Sequence, residues 1–185
     1  MKRIGLIKIH MLLASFVFPV AFMFLVTGAL YTWGVKGGYN ETIYLVELQA
    51  PLVKDASLLE GIVRKELDER GVEHPSGGAK IKSGGVSFKL EWTGSKRDIV
   101  LEPTDQIDRA QLTIKETTWY RNLVQLHKAK GGESFKFYAA FLSAALFLIL
   151  FTGFTLAVQM PKYKFQSLLS AALGLGVFAM FVLVS

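Results

Sequence analysis

Three long runs without a charge dominate the pattern of this chain: residues 11–33, 137–161 and 165–185. Each is long enough to cross a bilayer, whose hydrocarbon core takes about 20 residues of helix. Between the first run and the second lies a polar stretch, residues 36–136, where apolar positions alternate or recur at short spacing. The pattern therefore predicts a membrane α-helical protein with three transmembrane helices and a small extracytoplasmic α+β domain. Pro19 falls inside the first run, where neighbouring helices can satisfy the carbonyl it frees. Tyr31 and Trp33 close that run, as interfacial aromatic residues do.

Within the polar stretch, 42–49 reads as a strand from its β-branched and aromatic content. Residues 56–71 carry Leu58, Leu59, Ile62, Val63 and Leu67 at helical spacing, with charges opposite. Ser57 is the expected N-cap, with Glu60 completing a capping box, and Gly71 the stop. Short strands follow at 79–82, 86–92, 97–102 and 107–115, in an antiparallel meander. Residues 117–130 put Trp119, Leu123 and Leu126, with Tyr120 and Val124 as further candidates, on one face and Arg121, Lys128 and Lys130 on another. That distribution suits an interfacial helix, which carries His127 and breaks at Gly131-Gly132. Ala171, Ala172, Gly174, Gly176 and Ala179 in the third run would allow close helix approach. The expected divisions are 1–35, 36–116, 117–134 and 135–185.

Composition explains why the runs must be segregated: 51% of the 185 residues are hydrophobic, yet 19% are charged. All 15 acids and 16 of the 21 bases lie within 36–136. The other bases, Lys2, Arg3, Lys8, Lys162 and Lys164, flank the runs with no acid beside them. The positive-inside rule assigns those segments to the cytoplasm and the polar stretch to the far side. The basic balance thus reflects topology, and no basic stripe with interleaved aromatics points to nucleic acid. The absence of cysteine excludes disulfides, thiolate metal sites and c-type haem attachment.

Few residues are placed for chemistry. No nucleotide-binding glycine fingerprint, metalloprotease motif or Ser/His/Asp order is present. Three histidines remain: His10, His74 and His127. His74, in a Pro/Gly loop, reads as a solvated residue. His10 and His127 each stand at a membrane boundary, and ionisable groups there are functional candidates. A short echo accompanies them. Thr27-Gly28 lies within the first run and Thr152-Gly153 within the second, and each run is preceded by a histidine.

Lys8-Ile9-His10 leading into a helix that ends Val26-Thr27-Gly28-Ala29-Leu30 resembles the PepSY-associated transmembrane family. The segment from Trp119 to Gly132, with its Leu126-His127 pair, is similar to that family's second hallmark, and Thr152-Gly153 to the closing Thr-Gly of the next helix. The central strand–helix–strands stretch resembles a PepSY domain. The resemblance extends to the small VciB-type iron reductases of the bacterial inner membrane. It implies a haem-b protein that passes electrons outward to ferric iron or a ferric chelate, in support of ferrous iron uptake. It also implies His10 and His127 as axial ligands of haem iron, and a ferrous iron transporter as partner.

Larger members of the family hold more helices in one chain, whereas three spans and two membrane histidines are found here. The two histidines are expected on opposite membrane faces, about 30 Å apart, so one haem cannot use both. A homodimer would pair His10 with its copy and His127 with its copy, giving two haems per dimer. The alternative is a non-catalytic, membrane-anchored PepSY module that binds and regulates a transporter or protease. A sensor is disfavoured, because the cytoplasmic segments are too short for an output domain.

Overall fold

The structure is a computed structural model that describes residues 3–84 and 87–185. Lys2 of the basic tail, and Gly85 and Val86 of the expected hairpin, lie outside the described residues. The elements in chain order are α1 (Arg3–Thr32), β1 (Tyr39–Glu47), α2 (Ala56–Glu69), β2 (Ala79–Gly84), β3 (Ser87–Thr93), β4 (Arg97–Pro103), β5 (Arg109–Thr117), α3 (Trp119–His127), α4 (Gly132–Val158) and α5 (Lys164–Val184). The chain forms two compact units. One joins the part of α1 up to Phe22 with Ala140–Ser185, and the other is Met23–Ala139.

Three helices, Ile4–Thr32, Gly132–Val158 and Lys164–Val184, are long and apolar enough to cross a membrane. They are apolar on all sides, as lipid-facing helices must be. In the first unit the buried apolar residues are Val17, Leu142 and Ala145. Helix α5 buries no residue, and a side chain added at Gly174 or Gly176 would meet nothing. The small residues of this helix therefore serve no close approach within the chain.

The second unit is organised by a five-stranded antiparallel sheet in the order β1-β5-β4-β3-β2. The last four strands form the expected meander, and β1 returns to pair with β5 from Tyr39↔Thr117 to Glu47↔Arg109. Period-2 alternation sends Leu90, Trp92, Ile99, Leu101, Leu112 and Ile114 to one face, where Leu59, Val63 and Leu67 of α2 cover them. Cross-strand pairs Ile99↔Ile114 and Leu101↔Leu112 lock the register of the middle strands. Leu59, Val63 and Leu67 are at most 1% exposed, and burying each contributes about 1.5–3 kcal/mol.

The N-cap of α2 lies two residues earlier than the capping-box pattern suggested. Asp55, not Ser57, is the N-cap, and its carboxylate accepts from the Ser57 and Leu58 amides at 2.8 and 3.0 Å. The Ser57 hydroxyl also donates to Asp55 at 2.6 Å, so it supports the cap instead of forming it. Those bonds hold the Asp55 carboxyl below the usual range, the Ser57 hydroxyl contributing most. At the far end Gly71 takes φ +64°. The Val72 amide reaches the Leu67 carbonyl and the Gly71 amide that of Asp68, the paired bonds of a Schellman cap.

Helix α3 ends by the same device without a glycine. The Lys130 amide donates to the Gln125 carbonyl at 3.0 Å and the Ala129 amide to Leu126 at 2.9 Å. Ala129 takes the left-handed position with φ +56°. A Cβ there costs about 1–2 kcal/mol. Ala129→Gly should therefore raise the stability of this unit by about 1 kcal/mol, read as a higher denaturation midpoint in detergent. An unchanged or lower midpoint would contradict that account of the cap.

Candidate functional site: two histidine junctions

The two boundary histidines meet the two Thr-Gly pairs. In the first unit His10 Nδ1 lies 2.9 Å from Thr152 Oγ1. In the second, His127 Nδ1 lies 2.9 Å from Thr27 Oγ1. The glycines complete the match. A Cβ on Gly153 would stand 3.2 Å from His10 Cε1, and one on Gly28 would stand 3.1 Å from His127 Cε1. Each glycine thus leaves the space against which an imidazole edge rests. The echo that sequence reading noted is one physical junction built twice.

The threonine fixes the tautomer. Its hydroxyl has a single proton, and a helix carbonyl lies within easy reach of it. Thr152 donates to the Leu148 carbonyl at 2.6 Å, with the Ile149 carbonyl at 3.1 Å. Thr27 donates to the Met23 carbonyl at 2.8 Å, with the Phe24 carbonyl at 3.3 Å. Such bonds to the preceding turn are the habitual state of threonine in helices. With its proton committed, Oγ1 can only accept, so each histidine carries a proton on Nδ1, and the tautomer this selects for the uncharged ring is the one with its lone pair on Nε2. This assignment comes from the hydrogen-bond network. Neither Nε2 has a hydrogen-bond partner among the described residues. A neutral imidazole anchored through Nδ1, with Nε2 available, is how proteins prepare a metal-ligating histidine.

The surroundings of His127 can be followed further. Its ring packs against Phe24 with centroids 4.8 Å apart. Thr27 is 2% exposed, whereas His127 itself is open on one side. Beside it is an apolar cleft of about 220 Å³ lined by Thr27, Gly28, Tyr31, Val124, His127 and Lys128.

Helix α3 is held against the sheet by a buried polar cluster that sequence reading missed. The Tyr39 hydroxyl donates to Asp98 Oδ2 at 2.7 Å and accepts from Arg121 Nη2 at 2.7 Å. The fully buried Gln125 donates to Asp98 at 3.2 Å. The Gly94 amide binds the other Asp98 oxygen at 3.0 Å. Burial, then the bond to Asp98, push the Tyr39 phenol up to about 12, against the opposing pull of Arg121. Tyr39 therefore stays a neutral donor at physiological pH. Burial likewise lowers the Lys130 ammonium pKa, opposed by nearby Asp98.

These contacts give α3 a second, buried face that carries a polar residue. Trp119 is 78% exposed, while Val124 and Gln125 are the buried residues. Counting apolar positions could not find a glutamine that enters the core because an aspartate and a tyrosine wait there. Arg121 is committed to Tyr39 and, through Nη1, to the Lys36 carbonyl. His74 is not a free surface residue either. Its ring lies 5.4 Å from that of Trp92 and Nε2 lies 2.9 Å from Asp68, so it pins its loop to α2. Among the described residues, no group of three or more histidines and carboxylates is gathered for a metal ion.

No family profile, no characterised protein and no solved structure matches this chain. The functional reading rests on these residues and on the resemblance their motifs carry.

The ¹⁵N shifts of the imidazoles test the junctions without any ligand. His10 and His127 should both show the Nδ1–H tautomer. Thr152→Val and Thr27→Val should each shift their own histidine toward Nε2–H, and the serine variants should restore the original state. Nε2–H signals in the unaltered protein would overturn the assignment.

Proposed function

We propose that this protein is a haem-b electron-transfer protein of the bacterial inner membrane that reduces ferric iron, free or chelated, on the periplasmic side. It thereby supports ferrous iron uptake, with a ferrous iron transporter as its working partner. The observation that carries the reading is the pair of matched junctions, each holding an imidazole through Nδ1 with Nε2 uncommitted among the described residues. Those residues fit haem iron. The donor is the one axial ligation uses, the second bond to Nδ1 is in place, and the glycines keep the imidazole edge unobstructed.

In this reading His10 and His127 hold the iron, and Thr152 and Thr27 orient them. A bound haem would supply one-electron chemistry, with its potential set by axial ligands, hydrogen bonding and burial. Hydrogen bonds from Nδ1–H to threonine raise ligand basicity, which favours the ferric state. Gly28 and Gly153 keep the rings in register, and the Asp98–Tyr39–Arg121–Gln125 cluster keeps α3, and so His127, from moving.

Each junction supplies one imidazole, and a second copy of the chain would supply another. The charge bias of the flanking segments favours a cytoplasmic N-terminus and a periplasmic sheet domain, which by resemblance is PepSY-like. A second reading has one observation in its favour. An apolar groove of about 410 Å³ lies beside α2, lined in part by Pro51, Leu52, Val53, Leu58 and Ile62. Such a groove suits a membrane-anchored module that docks a transporter or protease without doing chemistry.

Protein purified from haem-replete cells should show a Soret band and a b-type reduced-minus-oxidised spectrum. His10→Ala and His127→Ala should each remove part of the absorbance, and the double variant nearly all of it. A folded but colourless protein would remove the haem reading and promote the docking module.

A further inference from the structure

Two lysines, Lys128 at the cleft beside His127 and Lys36 near the Tyr31 ring that lines it, make no ion pair among the described residues. Lys128 lines the cleft, and its ammonium lies 5.4 Å from the centre of the Tyr31 ring. Lys36 approaches the same ring at 5.3 Å. Neither forms an ion pair among the described residues, although most other bases of this unit do. The neighbouring cation Arg121 is spent on Tyr39 and a carbonyl. Lys130, also close by, faces Asp98 at 3.9 Å.

Two like charges gathered on one aromatic ring repel, and cation–π attraction offsets that only in part. They are at ease when an anion sits between or beside them. The cleft is mostly apolar and is lined by His127 and Tyr31 together with Lys128. A ligand that satisfies all three features is flat, apolar, metal-bearing and doubly anionic at one edge.

We infer that Lys36 and Lys128 receive the two propionate carboxylates of the haem whose iron His127 holds. This rests on the haem reading above and adds to it the residues that orient the tetrapyrrole at this junction. Tyr31 serves as the platform that keeps the two ammonium groups together. The anionic phosphate of a lipid headgroup offers the same charge chemistry, but it would be indifferent to the haem's own carboxylates, and that difference separates the two sources.

The test uses the full-length His10→Ala protein in neutral detergent, so that only the His127 junction reports. It is stripped of pigment and titrated, by Soret absorbance, with hemin and with hemin dimethyl ester, in which both carboxylates are blocked. Hemin should bind about 10-fold more tightly than the ester, roughly the worth of one charge-assisted hydrogen bond. Lys36→Gln with Lys128→Gln should remove that preference by weakening hemin alone, and the paired arginine variants should keep it. Equal hemin affinity in the parent and the glutamine variant would overturn the assignment while leaving the haem reading intact. Equal weakening of hemin and ester would also overturn it and assign the lysines to lipid or packing. Absence of a Soret band with either ligand in the parent would overturn the haem reading, and this inference with it.

Discussion

The proposed function depends on a hydrogen bond of 2.9 Å between a histidine and a threonine, made once in each unit. The threonine sits mid-helix in an apolar run, where its hydroxyl has a carbonyl one turn back to receive its proton. That leaves an acceptor, and only an acceptor, for the imidazole. The following glycine removes the side chain that would otherwise press on Cε1. A two-residue motif thus sets the position, the rotation and the protonation of a ring belonging to another element. No long-range charge or elaborate pocket is required, which is why the chain can be so sparing with polar groups inside its apolar helices.

The sheet domain follows from the same constraint at one remove. His127 ends a helix of 9 residues, about two and a half turns, and an isolated helix of that length does not persist in water. It is kept by what its other residues touch. Gln125 and Arg121 enter a cluster with Tyr39 from the first strand and Asp98 from the fourth. Val124 is buried beside them, and the cap at Ala129 accepts strain to turn the chain toward α4. A small domain buries only a modest core, and this one uses part of it to hold the helix that carries His127. The buried polar cluster also gives α3 one seat: a carboxylate, a phenol, an amide and a guanidinium must all find their partners together.

Much of this was legible in the sequence because the physics is local. Charge-free runs of spanning length declare membrane helices, and the alternation of Leu90, Trp92, Ile99 and Leu101 declares strands with one covered face. The helix at 56–69 announced itself by spacing, and Gly71 by the left-handed turn it had to make. The N-cap was misplaced because Asp55 and Ser57 are both good caps, and only the backbone decides between them. Gln125, Asp98 and Tyr39 were hidden for a deeper reason: a polar residue enters a core only when its partners arrive from distant strands, and spacing along the chain carries no trace of that meeting. His10 and His127 were found, and so were both Thr-Gly pairs. Their mutual contact was not, although a histidine and a Thr-Gly repeated in step on two helices was the signal that held it. Lys36 and Lys128 gave no sign, because each is an ordinary loop or helix-end lysine until Tyr31 brings the pair together.

The central claim is that each junction offers Nε2 of a neutral histidine as an iron ligand, and that two copies of the chain complete the coordination. Low-temperature electron paramagnetic resonance of the oxidised, detergent-solubilised protein tests it most directly. The account predicts low-spin ferric haem with the signature of two imidazoles on each iron. High-spin ferric haem at both junctions, or no haem signal from protein expressed with haem in supply, would contradict it.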